Sequence, residues 1–333
     1  MRTGLVLSAL ALAVSTAAAQ NPTQAGAAGR GRGRGPAPNS MGGGSCGVLK
    51  PDTAAGQYRG NPWNCKDTPN PIATPNTIWF EEMTWMDVRD ALKKGTTTII
   101  IPTGGLEPNG PWLVTGKHNY VLTANCEAIA RKMGNALCAP VVKFVPEGQI
   151  DPPTSHMASP NTISMREETF RMLLTDIVHS LKMHGFKQIF LIGDSGGNQP
   201  GQRAVADSLN KLWNADPLVA HIQEYYDYAG AARFMEDKGI KEDSTKAENL
   251  HDDPIITLNM YIADPKSVRY DERVKAGKAS INGISIADKN KNLALAKQIV
   301  EFRATTTVDA IKKAIANKGT LPAPQRGRGR GTP

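Results

Sequence analysis

Cysteine is scarce in this chain, and its spacing excludes one kind of site. Four cysteines occur in 333 residues, and no two of them form a Cys-x-x-Cys pair. That spacing is typical of structural zinc sites, so a cysteine-based zinc site is not expected. The close pairs along the chain are Cys46 with Cys65 and Cys126 with Cys138, which predicts two local disulfides in an oxidising compartment. A free buried thiol at Cys126 is the alternative.

Long apolar runs are lacking except at the N-terminus. Residues 1–20, MRTGLVLSALALAVSTAAAQ, begin with a basic residue, continue through an apolar stretch and end in small residues. This layout is typical of a cleavable signal peptide, and the stretch is too short to span a bilayer. We therefore expect cleavage near Ala19 and Gln20, a secreted or periplasmic protein and no membrane span. An uncleaved anchor is the alternative.

The body of the chain has almost no net charge. Seven arginines near the two ends of the chain account for seven units of the net charge of +8. Arg2 lies in the N-terminal stretch, and six lie in two Arg-Gly tails: Arg30, Arg32, Arg34, Arg326, Arg328 and Arg330. Such tails contact polyanions weakly, and no specific nucleic-acid partner is expected. The composition predicts a linker over residues 21–45, an irregular lead-in over 46–77, a globular domain over 78–318 and a tail over 319–333.

Within residues 78–318, helical and strand patterns alternate. The runs TTTIIIP (residues 96–102), residues 137–142 and QIFLIG (residues 188–193) are typical of buried strands. Helical spacing covers residues 120–133, 167–184, 202–213 and 293–317, and a further strand is predicted over 219–226. This alternation predicts an α/β fold with a mostly parallel sheet, whose functional groups lie at the carboxyl ends of the strands.

The stretch GDSGG, residues 193–197, has the letters that surround the nucleophile of trypsin-like proteases. Those enzymes are antiparallel β-barrels, whereas here the stretch follows a buried strand and precedes a helix. A serine hydrolase with Ser195 on a strand-turn-helix elbow stays open, with His221 or His251 downstream as its base. Gly196 and Gly197 are expected to allow a sharp turn and to direct N–H groups toward the site.

Three ordered stretches resemble the creatininase (creatinine amidohydrolase) family. They are IIIPTGGLEPNGPWLVTGKH (residues 99–118), HMASPNTISM (156–165) and HGFKQIFLIGDSGGN (184–198), and a weaker likeness lies in LHDDPIITLNMYIADPKSVR (250–269). The resemblance covers about residues 78–275. It implies a three-layer α/β/α sandwich, a homo-oligomer, and hydrolysis of a C–N amide bond in a small, often cyclic compound with divalent metal such as Zn²⁺ or Mn²⁺.

When the family's motif positions are carried over one by one, most of its metal-ligand positions hold a different residue type in this chain. Glu107 falls on the family's glutamate ligand and His251 on a histidine associated with acid–base work, whereas His118 stands in place of an aspartate and Ser195 in place of a histidine. Two further ligand positions hold Asn109 and Ile256. Trp112 replaces another family histidine and is expected to stack on a planar substrate. The remaining expected substrate-binding residues are Asn109, His156, Gly196, Gly197 and Asn198.

Two accounts of this altered site follow. In the first, Glu107, His118 and Asp194 hold one catalytic metal ion with His251 or His156 nearby, because three protein ligands and an open position suffice for catalysis. In the second, the metal is lost, and the same fold serves as a non-catalytic binding or assembly protein.

Overall fold

The computed structural model describes residues 69–248 and 250–319. These residues belong to the second of two compact units, Pro69–Pro333. The predicted signal peptide, the linker, most of the lead-in, the Cys46–Cys65 pair and the C-terminal Arg-Gly segment lie outside the described residues.

Four parallel strands form the central sheet, in the order β2-β1-β3-β4. The strands are β1 (Thr98–Thr103), β2 (Ala136–Cys138), β3 (Gln188–Gly193) and β4 (Leu218–His221), with a small antiparallel pair, β5 (Ser280–Ile281) and β6 (Ile284–Ser285). The helices are α1 (Trp85–Lys93), α2 (Lys117–Met133), α3 (Glu167–His184), α4 (Asn198–Leu212), α5 (Tyr228–Glu236), α6 (Pro254–Ala263), α7 (Tyr270–Lys275) and α8 (Lys289–Ala316).

The sheet is apolar on both faces because helices cover both. All six residues of β1, TIIIPT, are buried, as expected for a strand of a parallel sheet. On one face, Ile100 and Phe190 pack with apolar residues of α2 and α8. On the other face, Ile99 and Leu191 pack with α1, α3 and α4. This confirms the predicted three-layer α/β/α arrangement.

Element ends follow local signals in the sequence. A capping box begins α1, with Thr84 and Asp87 bonded reciprocally, and left-handed glycines end α2 (Gly134) and α3 (Gly185). The predicted strand over 219–226 is shorter than expected. It ends at His221, and a 3₁₀ turn follows that buries Tyr225 against the layer of α2 and α8.

Two contacts fix α2 in place. A disulfide joins Cys126 of α2 to Cys138 of β2, which confirms one predicted local pair. Across the interface with α6, the Asn125 amide donates to the Asn259 side-chain oxygen at 2.5 Å, and both side chains are fully buried. No helix in residues 69–248 and 250–319 is long and apolar enough to cross a membrane.

Strand register places the functional loops side by side. Thr103, the last residue of β1, pairs with Gly193, the last residue of β3. The segments that follow these two residues therefore leave the sheet at the same edge, where ligand sites of open parallel sheets form.

Candidate active site

Glu107 lies at the centre of the site. It follows β1 by four residues, and its side chain is 1% exposed. Lys117 Nζ lies 2.6 Å from Oε1, His118 Nε2 3.0 Å from Oε1, and His156 Nδ1 2.8 Å from Oε2. Burial by itself raises the pKa of Glu107, but contacts with His118 and His156 and the charges of His118 and Lys117 outweigh it. The carboxyl pKa is therefore well below its ordinary range.

The first turn of α2 supplies two of these partners. Lys117 is completely buried and also donates to the His251 carbonyl at 3.1 Å. His118 bridges two carboxylates, because its Nδ1 lies 2.8 Å from Asp194 Oδ2 while its Nε2 faces Glu107. Burial opposes protonation of His118, yet the contacts with Asp194 and Glu107 outweigh it and raise the pKa of the ring to about 9.

His156 and His251 form the outer side of the site. His156 lies in a 3₁₀ turn after β2, and His251 lies three residues before α6. The His251 Nδ1 is 3.2 Å from Glu107 Oε1, and the two rings are 5.2 Å apart between centroids. Contact with Glu107 raises the pKa of His156, whereas burial and the charge of Lys117 lower the pKa of His251.

A second buried carboxylate, Glu147, faces the same space. Its Oε2 lies 3.1 Å from His156 Nδ1 and accepts a long hydrogen bond of 3.5 Å from Ser195 Oγ. Burial, followed by the charge of Glu107, raises the pKa of Glu147 to about 7. Gly105 makes room for it, because a Cβ there would lie 2.0 Å from Glu147 Oε1.

Asp194 has a different environment, in which both of its oxygens are bonded. Oδ1 accepts from Tyr225 at 3.1 Å, from Tyr228 at 2.9 Å and from Arg303 Nη2 at 3.0 Å, and Oδ2 faces His118. Burial raises the pKa of Asp194, but the hydrogen bond with His118 and the charge of Arg303 outweigh it and lower the pKa to about 2. Asp194 is therefore a fixed anion.

One group of side chains in the described ranges has the spacing of a metal site. Donor atoms of Glu107, His156 and His251 all lie within 4.8 Å of one another. Carboxylate and imidazole together suit Zn²⁺ or Mn²⁺. In addition, Glu107 Oε1 and Glu147 Oε1 are buried with no well-aligned hydrogen bond from any described residue, and at Glu147 Oε1 the pocket has capacity for a further cationic or donating group. The donor set therefore fits one divalent ion.

This group differs from the ligand set expected from the sequence. Glu107 is common to both, but His156 and His251 stand where His118 and Asp194 were expected. His118 reaches the site from the side of Asp194, and Asp194 itself is 0% exposed and directed at Arg303 and the tyrosines. The residues predicted from the sequence thus lie close together, with His118 between Glu107 and Asp194.

The predicted substrate-binding residues have several different surroundings. Asn109 donates to the Glu107 and Val114 carbonyls, and so holds the loop after β1. Asn198 donates to Thr103 and Gly104 and holds the end of β1. Trp112 is partly exposed, with the Arg273 guanidinium 5.8 Å from its ring centroid.

The second glycine after Ser195 is needed for close approach rather than for a left-handed turn. Gly197 has φ −63°, and a Cβ there would lie 2.5 Å from the Pro146 carbonyl oxygen, next to Glu147. Ser195 is 4% exposed and no histidine of the described chain is bonded to it; His221 instead bonds Gln199 at 2.8 Å. The geometry thus offers Ser195 no histidine base among these residues, and its one side-chain partner is the Glu147 carboxylate.

Sequence reasoning missed Glu147 and Lys117. The stretch Val-Pro-Glu-Gly around Glu147 is one available signal, because a carboxylate between proline and glycine after a strand is oddly placed for a routine surface charge. Lys117 gives no such signal, since a lysine at the start of a helix is ordinarily exposed.

Comparisons with known proteins agree with this architecture. The family model for creatininase, described as creatinine amidohydrolase, matches residues 81–322. A crystal structure of creatinine amidohydrolase superposes with a TM-score of 0.52 at 18% identity, covering 72% of this chain and 98% of that one. A manganese creatininase gives the same values. At this identity, these two structures establish similarity of fold only.

One curated relative is similar over a shorter stretch. The 3-dehydro-scyllo-inosose hydrolase of Thermotoga maritima is 28% identical over 122 residues, which is 37% of this chain and 37% of that protein. The match therefore spans little more than a third of that relative's length. The family match over residues 81–322, together with the four-stranded parallel sheet between two helical layers, identifies the chain as a member of the creatininase family.

Proposed function

We propose that this protein hydrolyses a C–N amide bond of a small, cyclic or linear, amide with the help of one divalent metal ion. The observation that carries the proposal is the convergence of Glu107, His156 and His251 beside Glu147, a carboxyl group with a pKa of about 7. Family membership supports hydrolysis as the reaction class. The manganese creatininase supports the choice of metal.

Glu107, His156 and His251 would hold the ion. When bound, such an ion polarises a carbonyl and lowers the pKa of water, which supplies electrophile and nucleophile together. Both histidines offer Nδ1 toward Glu107, at 2.8 Å for His156 and 3.2 Å for His251. The loop before α6 and the 3₁₀ turn after β2 therefore have to keep their positions for the site to form.

Glu147 is the proposed general base. A carboxyl group with a pKa near neutrality can take a proton from water and return it to the departing amine nitrogen. Its Oε2 lies beside His156 and Ser195, so it faces the proposed ion site. Water adds to the amide carbonyl, the C–N bond breaks, and the proton first held by Glu147 goes to the nitrogen.

A second candidate function is binding without turnover. It is favoured by one observation: the oxygen of Glu107 that faces α2 already contacts Lys117 and His118, two groups that bear positive charge. If these charges repel a divalent ion completely, the pocket would hold a ligand and leave it intact.

Metal analysis and turnover separate the two functions. Protein purified without a His-tag should carry about one equivalent of zinc, manganese or iron, and chelation should abolish hydrolysis of at least one member of a panel that contains creatinine and other small cyclic amides. Glu147→Gln should lower that activity by at least about 100-fold, the scale of general-base catalysis, while keeping the metal. Glu168→Gln, an exposed change on α3, is the matched control.

Absence of metal together with unaltered thermal stability after chelation would overturn the catalytic proposal and leave the binding function. Labelling of Ser195 by a fluorophosphonate, lost in Ser195→Ala, would instead support a serine mechanism.

We further propose that the protein acts after export, as its N-terminal sequence predicts. The Cys126–Cys138 disulfide is in keeping with an oxidising compartment. Intact-mass measurement of the exported protein tests the proposal, because a mass that retains residues 1–19 would contradict cleavage.

A further inference from the structure

Lys117 is an unusual residue for its place in the fold. It is the first residue of α2, and its side chain is 0% exposed. A positive charge is unfavourable at a helix N-terminus, where backbone N–H groups already carry partial positive charge. Burying an ammonium group also costs free energy unless it is paired. Neither helix formation nor packing of the core therefore favours a lysine at this position.

The surroundings of Lys117 show which group balances its charge. Its Nζ lies 2.6 Å from Glu107 Oε1 and donates to the His251 carbonyl at 3.1 Å. Both contacts are to residues of the candidate metal group. Lys117 is thus held against the site by the carboxylate of one candidate ligand and the backbone of another.

The two oxygens of Glu107 have different partners. Oε1 faces Lys117, with His118 Nε2 at 3.0 Å and His251 Nδ1 at 3.2 Å from it, whereas Oε2 faces His156. A carboxylate that bridges two metal ions through its two oxygens needs both of them for metal. Here one oxygen is already neutralised by an ammonium group, so a single ion can use Glu107 together with His156 and His251.

We propose that Lys117 is a built-in cation of this site: its ammonium group takes the place of a second metal ion at Glu107, limits the site to one divalent ion and weakens the binding of that ion. The inference rests on the proposed function, since it concerns the metal of that site. Lys117 acts through Glu107 and is therefore a positioning residue. Its fixed charge opposes a neighbouring cation strongly because the surroundings are buried.

Zinc titration of the metal-stripped full-length protein tests the proposal by calorimetry. The wild type should bind one equivalent of Zn²⁺. Lys117→Gln removes the charge and keeps a hydrogen-bond donor, so it should bind Zn²⁺ at least tenfold more tightly or take a second equivalent. Lys117→Arg keeps the charge and should bind one equivalent with an affinity close to that of the wild type. Lys143→Gln, a change of an exposed lysine outside the metal group, is the matched control.

The other outcomes are decisive as well. Two equivalents in the wild type, or unchanged or weaker binding in Lys117→Gln, would overturn the role of Lys117. No zinc in the wild type but one equivalent in Lys117→Gln would overturn the proposed metal-dependent hydrolysis and show that Lys117 replaces metal altogether. No zinc in either protein would overturn both proposals.

A measurement on the wild type covers the case in which Lys117→Gln does not fold. The Mn²⁺-loaded protein should give the electron paramagnetic resonance signal of isolated ions at every metal ratio up to saturation. The multiline signal of a spin-coupled Mn²⁺ pair would overturn the proposal.

Discussion

Two buried carboxylates, Asp194 and Glu107, lie on opposite sides of the His118 ring and are partnered in different ways. Asp194 accepts from two tyrosines and Arg303, so each of its oxygens is bonded. Glu107 is surrounded by nitrogens, yet its Oε1 has no well-aligned hydrogen bond from any described residue. A saturated carboxylate stabilises the fold, whereas an incompletely bonded one can accept a ligand. Asp194 therefore supports the structure of the site, whereas Glu107 belongs to the part of the site that can accept a ligand.

The largest expected effect on stability comes from Asp194→Asn. The change leaves the buried Arg303 guanidinium and a protonated His118 without their shared anion, so the free energy of unfolding should fall by about 3–5 kcal/mol. Urea denaturation of the metal-free protein measures it. Glu167→Gln, which breaks the exposed ion pair with Arg171 on α3, should cost less than about 1 kcal/mol. A similar small loss in Asp194→Asn would remove the distinction between the two carboxylates.

Glu147→Gln should instead raise the free energy of unfolding. The folded-state pKa of about 7 lies above the ordinary 4.5, so the wild type loses stability as pH rises from 4.5 through 7. The glutamine variant escapes this loss, and at pH 8 the metal-free variant should be more stable by up to about 3 kcal/mol. At pH 4 the two proteins should agree. A less stable variant at pH 8 would show that the Glu147 charge supports the fold, as that of Asp194 does.

His118 contacts both Asp194 and Glu107. Its titration should make the free energy of unfolding depend on pH in a second range. Its folded-state pKa of about 9 lies above 6.5, so its contribution is complete below pH 6.5 and is lost as pH rises through 9. The loss should be on the order of 3 kcal/mol in the metal-free protein. Unfolding measured from pH 6.5 to 9.5 checks this, because His118→Gln should flatten the curve over that range. The exposed change His184→Gln should leave the curve of the wild type unaltered.

The smallest expected effect is that of Tyr228→Phe. It removes one of the four contacts of Asp194, and the free energy of unfolding should fall by about 1 kcal/mol. Tyr226→Phe is a matched control, since the Tyr226 hydroxyl forms no hydrogen bond with Asp194 among the described residues and packs near Gly196 instead. Equal losses in the two variants would mean that the hydrogen bond from Tyr228 to Asp194 adds no stability of its own.

The sequence predicts the sheet and the position of Glu107 because both depend on local patterns. β-branched and apolar runs define β1 and β3, and parallel strands bring the segments after them to one edge. The capping box of α1 and the proline that opens α6 are equally local. The resemblance adds the three layers, which the packing of α2 and α8 against one face and α1, α3 and α4 against the other confirms.

The partners of the carboxylates are beyond sequence reasoning because they come from distant parts of the chain. Arg303, which fixes Asp194, lies 109 residues away on the long helix α8. Glu147 enters the site only because the backbone approaches closely at Gly105 and Gly197. The sequence alone therefore does not tell which acidic residue near GDSGG is bonded on all sides and which one faces the pocket.

The Asn125–Asn259 contact has a consequence for how this protein can vary. The two amides favour one position of α6 along α2, because a slip of one turn, about 5.4 Å, would break the bond between them and leave the buried Asn259 oxygen without its donor. His251 precedes α6 by three residues, so the position of α6 along α2 fixes its distance from Lys117. Insertions and deletions between α5 and His251 can then accumulate without displacing the histidine, because its position follows from that of α6.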